Sequence, residues 1–379
     1  MKRYLSLDVF RGLTVAMMIL VNNPGSWSRI FPPLRHSAWD GCTPCDLVFP
    51  FFLFCVGVSM AFALSRYNAL DGQALKKILK RGVLLYLAGL LLTAYPFYPY
   101  RMDPDLTLWQ NYAQWLGNLR LVGVLARIAM CYVLASVLAL WLKKPRKIWG
   151  AIAVLSLLHV GLLLLFAGPE GAFSLEGNFG RRLDIALFGA DHIYHGYHNA
   201  AGERVAFDPE GVLGVLTGSC TVLIGYLAGG MIRQMSGHPD DAASGFRLVS
   251  RFYTYAALSL AFALALNIII PINKPLWSVS YVFYTAGWAM FVMAFLIYCI
   301  DIKSIRKPFF PFQALGMNPL AIYIFSGLLA KSLSAFLHWD SASVFGANEW
   351  MSLLYALLFV LVHLILAVIL YRRKIFIKL

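Results

Sequence analysis

In HSAWDGCTPCDLVFPFF a histidine and an aspartate, His36 and Asp46, lie ten positions apart where a polar stretch runs into an apolar one. Imidazole is the side chain best matched to proton transfer near neutral pH. A carboxylate at the margin of an apolar run is costly unless it has a partner, lines a wet cavity or caps a helix. His36 and Asp46 therefore read as a candidate acid–base pair, and capping by Asp46 is a compatible second role. Asn22 and Asn23 close the preceding apolar run toward the same side. Further on, GRRLDIALFGADHIYHGYHNAAGERVAFDPEG gathers Asp184, Asp191, His192, His195, His198, Asp208 and Glu210. Histidines three apart invite a zinc reading. The i, i+3, i+6 spacing drifts around a helix, however, and the chain has no HExxH, so no metal is expected. CTPC has redox spacing without a soluble βαβ context, so Cys42 and Cys45 read as a structural disulfide or two free thiols. Cys55, Cys131, Cys220 and Cys299 fall in apolar runs as small apolar residues.

Composition decides what must position these groups. The 379 residues are 60% hydrophobic and only 13% charged, too few charges to cover a soluble globule. The apolar residues come in blocks of about 20, the length that crosses a ~30 Å hydrocarbon layer. Ten spans are expected, at 8–23, 46–66, 82–97, 119–142, 148–168, 211–232, 252–271, 279–300, 313–336 and 351–371, in one all-α polytopic membrane domain over 1–379. With the N-terminus inside, one set of loops carries 22 of the 32 lysines and arginines, including Lys2, Arg3, KKPRK and Lys378. The positive-inside rule then places both termini inside, with an even number of spans. It also accounts for most of the net charge of +14, which leaves a nucleic-acid partner with little to explain. The opening segment carries Asp8 and Arg11 and no small-x-small cleavage site, so it reads as a retained span. The longest extramembrane segments, 23–45 and 169–210, are both expected outside.

Polar residues within the spans are candidates in their own right. Arg127 should face the bundle interior and find an anion. Lys331 sits nearer a span end, where it could snorkel. Asn318 before Pro319, in ALGMNPLAIYIFSG, marks a broken helix suited to a cavity. INKPLWSVSY brings Asn273, Lys274, Trp277 and Ser280 to the side where His36 lies.

LDVFRGLTVAMMILVNNPG followed by HSAWDGCTPCDLVFPFFLFCVG resembles the start of the membrane domain of the heparan-α-glucosaminide N-acetyltransferase family, a lysosomal enzyme and its bacterial relatives in the transmembrane acyltransferase group. The likeness continues through LVGVLARIAMCYVLA, RRLDIALFGADHIY, FDPEGVLG, INKPLWSVSY and GMNPLAIYIFSG. The lysosomal enzyme has an added lumenal portion and one more N-terminal span, which fits ten spans here with the termini inside. The resemblance implies acetyl transfer from cytosolic acetyl-CoA to an amino sugar or glycosaminoglycan fragment across a bacterial inner membrane. In the family the histidine of this block is catalytic and matches His36, the asparagine ending the first span matches Asn22, and the aspartate matches Asp46. CTPC departs from the family pattern, so a redox role is not a family property.

Such a reaction needs a base for the attacking amine and donors for the developing oxyanion. His36 is expected as base, with Asp46 or Asp184 orienting it and Asn22 as oxyanion donor. A rival scheme makes His36 a nucleophile that carries the acetyl group. Arg127 and Asn318 are the expected acetyl-CoA contacts. Asp184, Asp191, His192, Glu210, Asn273, Lys274 and Trp277 are the expected acceptor-side groups. An amino-sugar transporter is the alternative of another class, since broken spans and an intramembrane arginine would suit one. Membrane enzymes of this size often dimerise, so a homodimer stands as an open expectation.

Overall fold

The structure is a computed structural model and describes residues 4–99, 102–235 and 242–377. Lys2, Arg3 and Lys378, used in the loop-charge comparison, lie outside the described residues. The chain folds as α1 (Leu5–Asn22), α2 (Val48–Ala63), α3 (Gly72–Ala94), α4 (Leu108–Gly117), α5 (Val124–Leu142), α6 (Pro145–Leu165) and α7 (Phe179–Phe188). It continues through α8 (Gly214–Met235), α9 (Ala242–Leu266), α10 (Val279–Leu296), α11 (Phe310–Met317), α12 (Pro319–Phe336), α13 (Ser341–Phe345) and α14 (Glu349–Arg372). A two-stranded hairpin, β1 (Tyr197–His198) against β2 (Arg204–Val205), pairs Tyr197 with Val205 and His198 with Arg204.

Among the described residues, nine helices are long and apolar enough to cross a membrane. The protein is an all-α polytopic membrane protein. The expected third span differs for a physical reason. Asp71 caps α3 by accepting from the Ala74 N–H at 2.7 Å, and its first turns carry Lys76, Lys77, Lys80 and Arg81, so only its second half is apolar. The expected ninth span is two helices broken at Asn318, as the Asn-Pro pair implies. A third extramembrane segment, 95–123, exceeds 23–45 in length and contains α4. Thr107 and Gln110 form a capping box there, and Leu108 and Trp109 are exposed beside polar residues, the composition of a helix lying at a bilayer surface.

The bundle has two distinguishable ends. The Tyr281 hydroxyl, at the start of α10, donates to the Asp46 carbonyl at 2.6 Å ahead of α2, which defines the His36 end. At the other end Arg11 of α1 donates to Ser59 Oγ of α2 at 2.5 Å, and Arg233 of α8 donates to the Ala61 carbonyl at 3.2 Å. We call this the Arg11 end.

Close helix approach rests on glycine. A Cβ on Gly12 would stand 1.7 Å from the Phe312 carbonyl oxygen, and one on Gly316 equally close, 1.7 Å, to that of Asp8, so α1 and α11 meet backbone to backbone. The α2–α8 pair does the same, with a Cβ on Gly57 falling 2.0 Å from the Val222 oxygen and one on Gly225 2.2 Å from that of Phe54. Small residues are what permit such contact between apolar helices in lipid. Gly225→Ala should lower the thermal midpoint in detergent and broaden the size-exclusion peak, at a cost on the order of 1–3 kcal/mol. Gly150→Ala, where a Cβ would meet nothing within 4 Å, should leave both unchanged.

Candidate active site

The site is built on a carboxylate with no exposed surface. Asp46 starts the second span, and its side chain closes a capping box with Thr43. Its Oδ2 accepts from the Ser37 N–H at 3.0 Å and from the Thr43 N–H and Oγ1, both at 3.1 Å. Its Oδ1 lies 2.7 Å from His36 Nδ1 and 3.2 Å from Lys274 Nζ. The capping and pairing roles of Asp46 are therefore both filled. Asp46, which only accepts, favours a proton on His36 Nδ1, and Nε2 lies 3.4 Å from Lys274 Nζ and 3.8 Å from the Cys45 thiol. Lys274 Nζ is 2.9 Å from Nδ1, and the Cys45 thiol is 3.2 Å from the same atom. The imidazole thus has an anion, a cation and a thiol along one edge, while about half of its surface faces solvent.

Backbone and aromatic contacts hold this block. The Gly41 N–H donates to the Ile272 carbonyl at 2.7 Å, and Asn273 Nδ2 donates to the Trp39 carbonyl at 3.2 Å and to Asp40 Oδ1 at 3.0 Å. Asn273 Oδ1 accepts from the Leu276 N–H at 2.7 Å, which shapes the loop that delivers Lys274. Trp39 Nε1 donates to the Phe173 carbonyl at 2.8 Å, and its ring meets Tyr197 and Phe207 edge-on. The two expected outer loops are thereby joined to the 271–278 turn.

The acidic loop after β2 is organised by two arginines. Arg120 donates to both oxygens of Asp208, at 2.8 and 2.6 Å, and to Glu210. Burial pushes the Glu210 carboxyl up, but Arg120 and Arg127 more than offset it, and its pKa lies below the ordinary value. Lys274 contributes in the same direction, so Glu210 shares the field of the His36 cluster. Arg127 donates to the carbonyls of Pro209, Glu210, Gly211 and Gly214 at 2.9–3.3 Å and lies over the Trp277 ring at 5.2 Å. Gly214 makes room for it, since a Cβ there would fall 2.6 Å from Nη2. Arg127 thus stands at the His36 end with its N–H groups committed to backbone, so it supports the loop rather than offering a free cation to a phosphate.

At the Arg11 end a cavity of about 510 Å³ opens between α1, α2, α3, α5 and the α11–α12 break. Asp8, Arg11, Ser59, Arg81 and Tyr132 supply its polar lining, with Arg11 paired to Asp8 at 3.2 Å. Arg81 lies over the Tyr132 ring, and its buried Nε has no partner among the described residues. Asn318 lies between two lining residues, Met317 and Pro319, without lining the cavity itself. Its Nδ2 donates to the Ile375 carbonyl at 2.9 Å and its Oδ1 accepts from the Ile377 N–H at 2.8 Å, which pins the C-terminal segment against the cavity.

The structure thus brings His36, Asp46 and Lys274 into contact, with Asn273 and Glu210 around them. Asn22 ends α1, exposed and without a side-chain hydrogen bond among the described residues. Asp184, the second candidate orienting group, is engaged elsewhere: its Oδ1 accepts from the Val212 N–H at 2.9 Å. His192 Nδ1 donates to the Leu119 carbonyl at 2.8 Å, so it ties 119–121 to the loop, and Asp191 is exposed. Trp277 is buried against Phe49 and Tyr281 as the surface on which Arg127 rests. Among the described residues no three His, Cys, Asp or Glu side chains converge as metal ligands. Cys42 and Cys45 are free thiols, and burial, aided by Asp46, pushes Cys42 up to about 12. Sequence reasoning missed Arg120, Arg11 and Arg81. An arginine just ahead of a span, facing a loop with two acids, was the available signal for the first.

Two outcomes follow. Arg127→Lys should cost on the order of 2–4 kcal/mol, because one ammonium cannot reach four carbonyls. The loss should appear as a lower thermal midpoint at every concentration of added ligand. Burial raises Asp184 to about 7 from the ordinary carboxyl value of 3.8. The folded state therefore binds more protons than the unfolded one between those values, and stability falls as pH rises from about 4 to about 7. Asp184→Asn keeps the Oδ1 acceptor and should flatten the midpoint-versus-pH curve, with its advantage over wild type greatest above pH 7. Parallel curves for the two proteins would refute this.

A family model described as heparan-alpha-glucosaminide N-acetyltransferase, catalytic, matches residues 3–166. The chain is 28% identical over 372 residues to the heparan-alpha-glucosaminide N-acetyltransferase of Homo sapiens, an alignment covering 85% of this chain and 52% of that protein. It is 27% identical over 422 residues to the Mus musculus protein of the same name, covering 98% and 60%. The chain therefore spans between half and two thirds of the length of these relatives. The matched segment contains the Asp46 site and most of the polar lining of the Arg11-end cavity, so the similarity to the heparan-alpha-glucosaminide N-acetyltransferases covers both.

Proposed function

We propose that the protein is a transmembrane N-acetyltransferase that moves an acetyl group from acetyl-CoA to the amine of a glucosamine-type sugar. The observation that carries this reading is the Asp46–His36 pair, which holds an imidazole against a buried carboxylate at a half-open site. With Asp46 accepting Nδ1–H, His36 takes the amine proton at Nε2 as the nitrogen attacks the thioester carbonyl. The imidazolium rests against the carboxylate, and as the C–S bond breaks it gives that proton to the departing CoA thiolate. Lys274 balances Asp46 before that proton arrives and is one donor available to a developing oxyanion. Asn22 is the other donor that this reading assigns to the oxyanion. Glu210 supplies a carboxylate for the acceptor's ammonium or hydroxyl groups, and Trp39, Tyr197 and Phe207 supply an aromatic wall for a sugar ring.

Acetyl-CoA supplies the acetyl group as a thioester. Arg11, Arg81 and Tyr132 would hold its anionic part, a fit supported by the unpartnered Arg81 Nε at the cavity. The excess of basic residues at that end supports a cytosolic orientation, which sets His36 toward the outside of the membrane in which the protein lies. Asp46 to Ser59 is 13 residues of largely helical chain, about 20 Å, so donor and acceptor would approach from opposite ends.

The test uses purified protein in detergent with radiolabelled acetyl-CoA and a panel of amino sugars. His36→Ala should lower kcat by about 10²–10⁴ without a change in thermal midpoint. Arg81→Gln should raise KM for acetyl-CoA roughly tenfold with kcat little changed. Label retained on wild-type protein in the absence of sugar would make His36 a nucleophile instead. Wild type that acetylates no sugar but accumulates labelled sugar in liposomes would be a transporter, and the reading would be wrong.

A further inference from the structure

Another large concavity among the described residues is unrelated to the His36 site. It is a cleft of about 560 Å³ between α6, α8, α9 and α10. Both α6 and α9 are largely exposed along their length, as helices facing hydrocarbon are, so the cleft opens sideways into the bilayer. Its walls are apolar and aromatic, with Trp149, Leu258, Phe262 and Phe283 along them. Its mouth at the Arg11 end is cationic. Lys143 and Arg233 both line it there, and Lys144, Arg146 and Lys147 stand exposed around the same turn. Arg233 spends Nη1 on the Ala61 carbonyl, which fixes the guanidinium while its other N–H groups stay free of that bond.

We infer that this cleft binds one anionic phospholipid, its phosphate between Lys143 and Arg233 and an acyl chain along the Trp149–Phe262–Phe283 wall. An apolar groove at membrane depth is filled by hydrocarbon in any bilayer. What selects an anionic head is the pair of cations at the level where a headgroup lies, and among the described residues no carboxylate lines the cleft. A zwitterionic lipid would bring its own cation to the same place and lose that advantage. α6 and α9 both pack on α8, so the lipid would bridge two helices that the protein itself leaves apart.

Native mass spectrometry of the full chain, purified and titrated with equal amounts of phosphatidylglycerol and phosphatidylcholine of matched chains, tests this. Wild type should retain one phosphatidylglycerol about 30-fold in preference, the discrimination expected of two cations beside a phosphate. Lys143→Gln with Arg233→Gln should lose the preference. Trp149→Ala should lower retention of both lipids and keep the preference. Should the double variant not fold, Lys143→Gln alone must lower the preference at an unchanged thermal midpoint. Equal retention of the two lipids by wild type, or a preference that survives the charge removal, overturns the proposal. So does a Trp149→Cys variant that cross-links into a dimer through that position, because a second copy would then cover the cleft.

Discussion

A carboxylate buried at the rim of a membrane bundle has to be satisfied from every side, and the satisfaction of Asp46 organises the His36 end. Its Oδ2 is occupied by the backbone of its own loop, at Ser37 and Thr43, and this folds 36–46 back over the start of α2. Its Oδ1 is then left for groups that arrive from elsewhere, His36 from the loop and Lys274 from the turn before α10. One charge therefore fixes the position of the imidazole, the position of the ammonium and the register of two loops. Replacing it by a neutral group would leave Lys274 and the ring without their common partner, which is the costly kind of change at a buried site.

The same logic recurs at backbone level. The stretch 209–214 enters α8 through irregular backbone, and Arg127 donates to four of its carbonyls. The broken α11–α12 junction is treated in the same way by Asn318, whose two amide groups pair with the chain near the C-terminus. Irregular backbone at membrane depth is tolerable where protein covers it or a cavity adjoins it, and here it has both. The transporter alternative drew support from these two features, the broken span and the intramembrane arginine. Both turn out to be occupied by the protein's own backbone.

Much of this was legible in the sequence, and what was not has identifiable causes. Twenty-residue apolar blocks announced the spans because the solvent sets their length. α3 hid its extent because its first turns are cationic and its apolar part is short. His36 and Asp46 could be paired from type and place, since each is expensive or reactive where it stands. Lys274 could be assigned to the same end of the bundle as His36 but not to contact with it, which depends on the 271–278 turn and on hydrogen bonds between segments more than 230 residues apart. Arg127 looked functional for the same reason that it is structural: a cation there must have partners, and residue type alone does not say whether those are a ligand or four carbonyls. The cavity at the Arg11 end was invisible because helices far apart in sequence contribute to it.

The central claim is a two-ended site, with donor and acceptor approaching from opposite faces and meeting at His36. Sealed proteoliposomes of uniform orientation test it most directly, with acetyl-CoA confined to the Arg11 side and glucosamine to the His36 side. N-acetylglucosamine should form on the His36 side, and no product should form when the two are exchanged. Product formed with both substrates confined to the His36 side, at the same rate, would contradict the account.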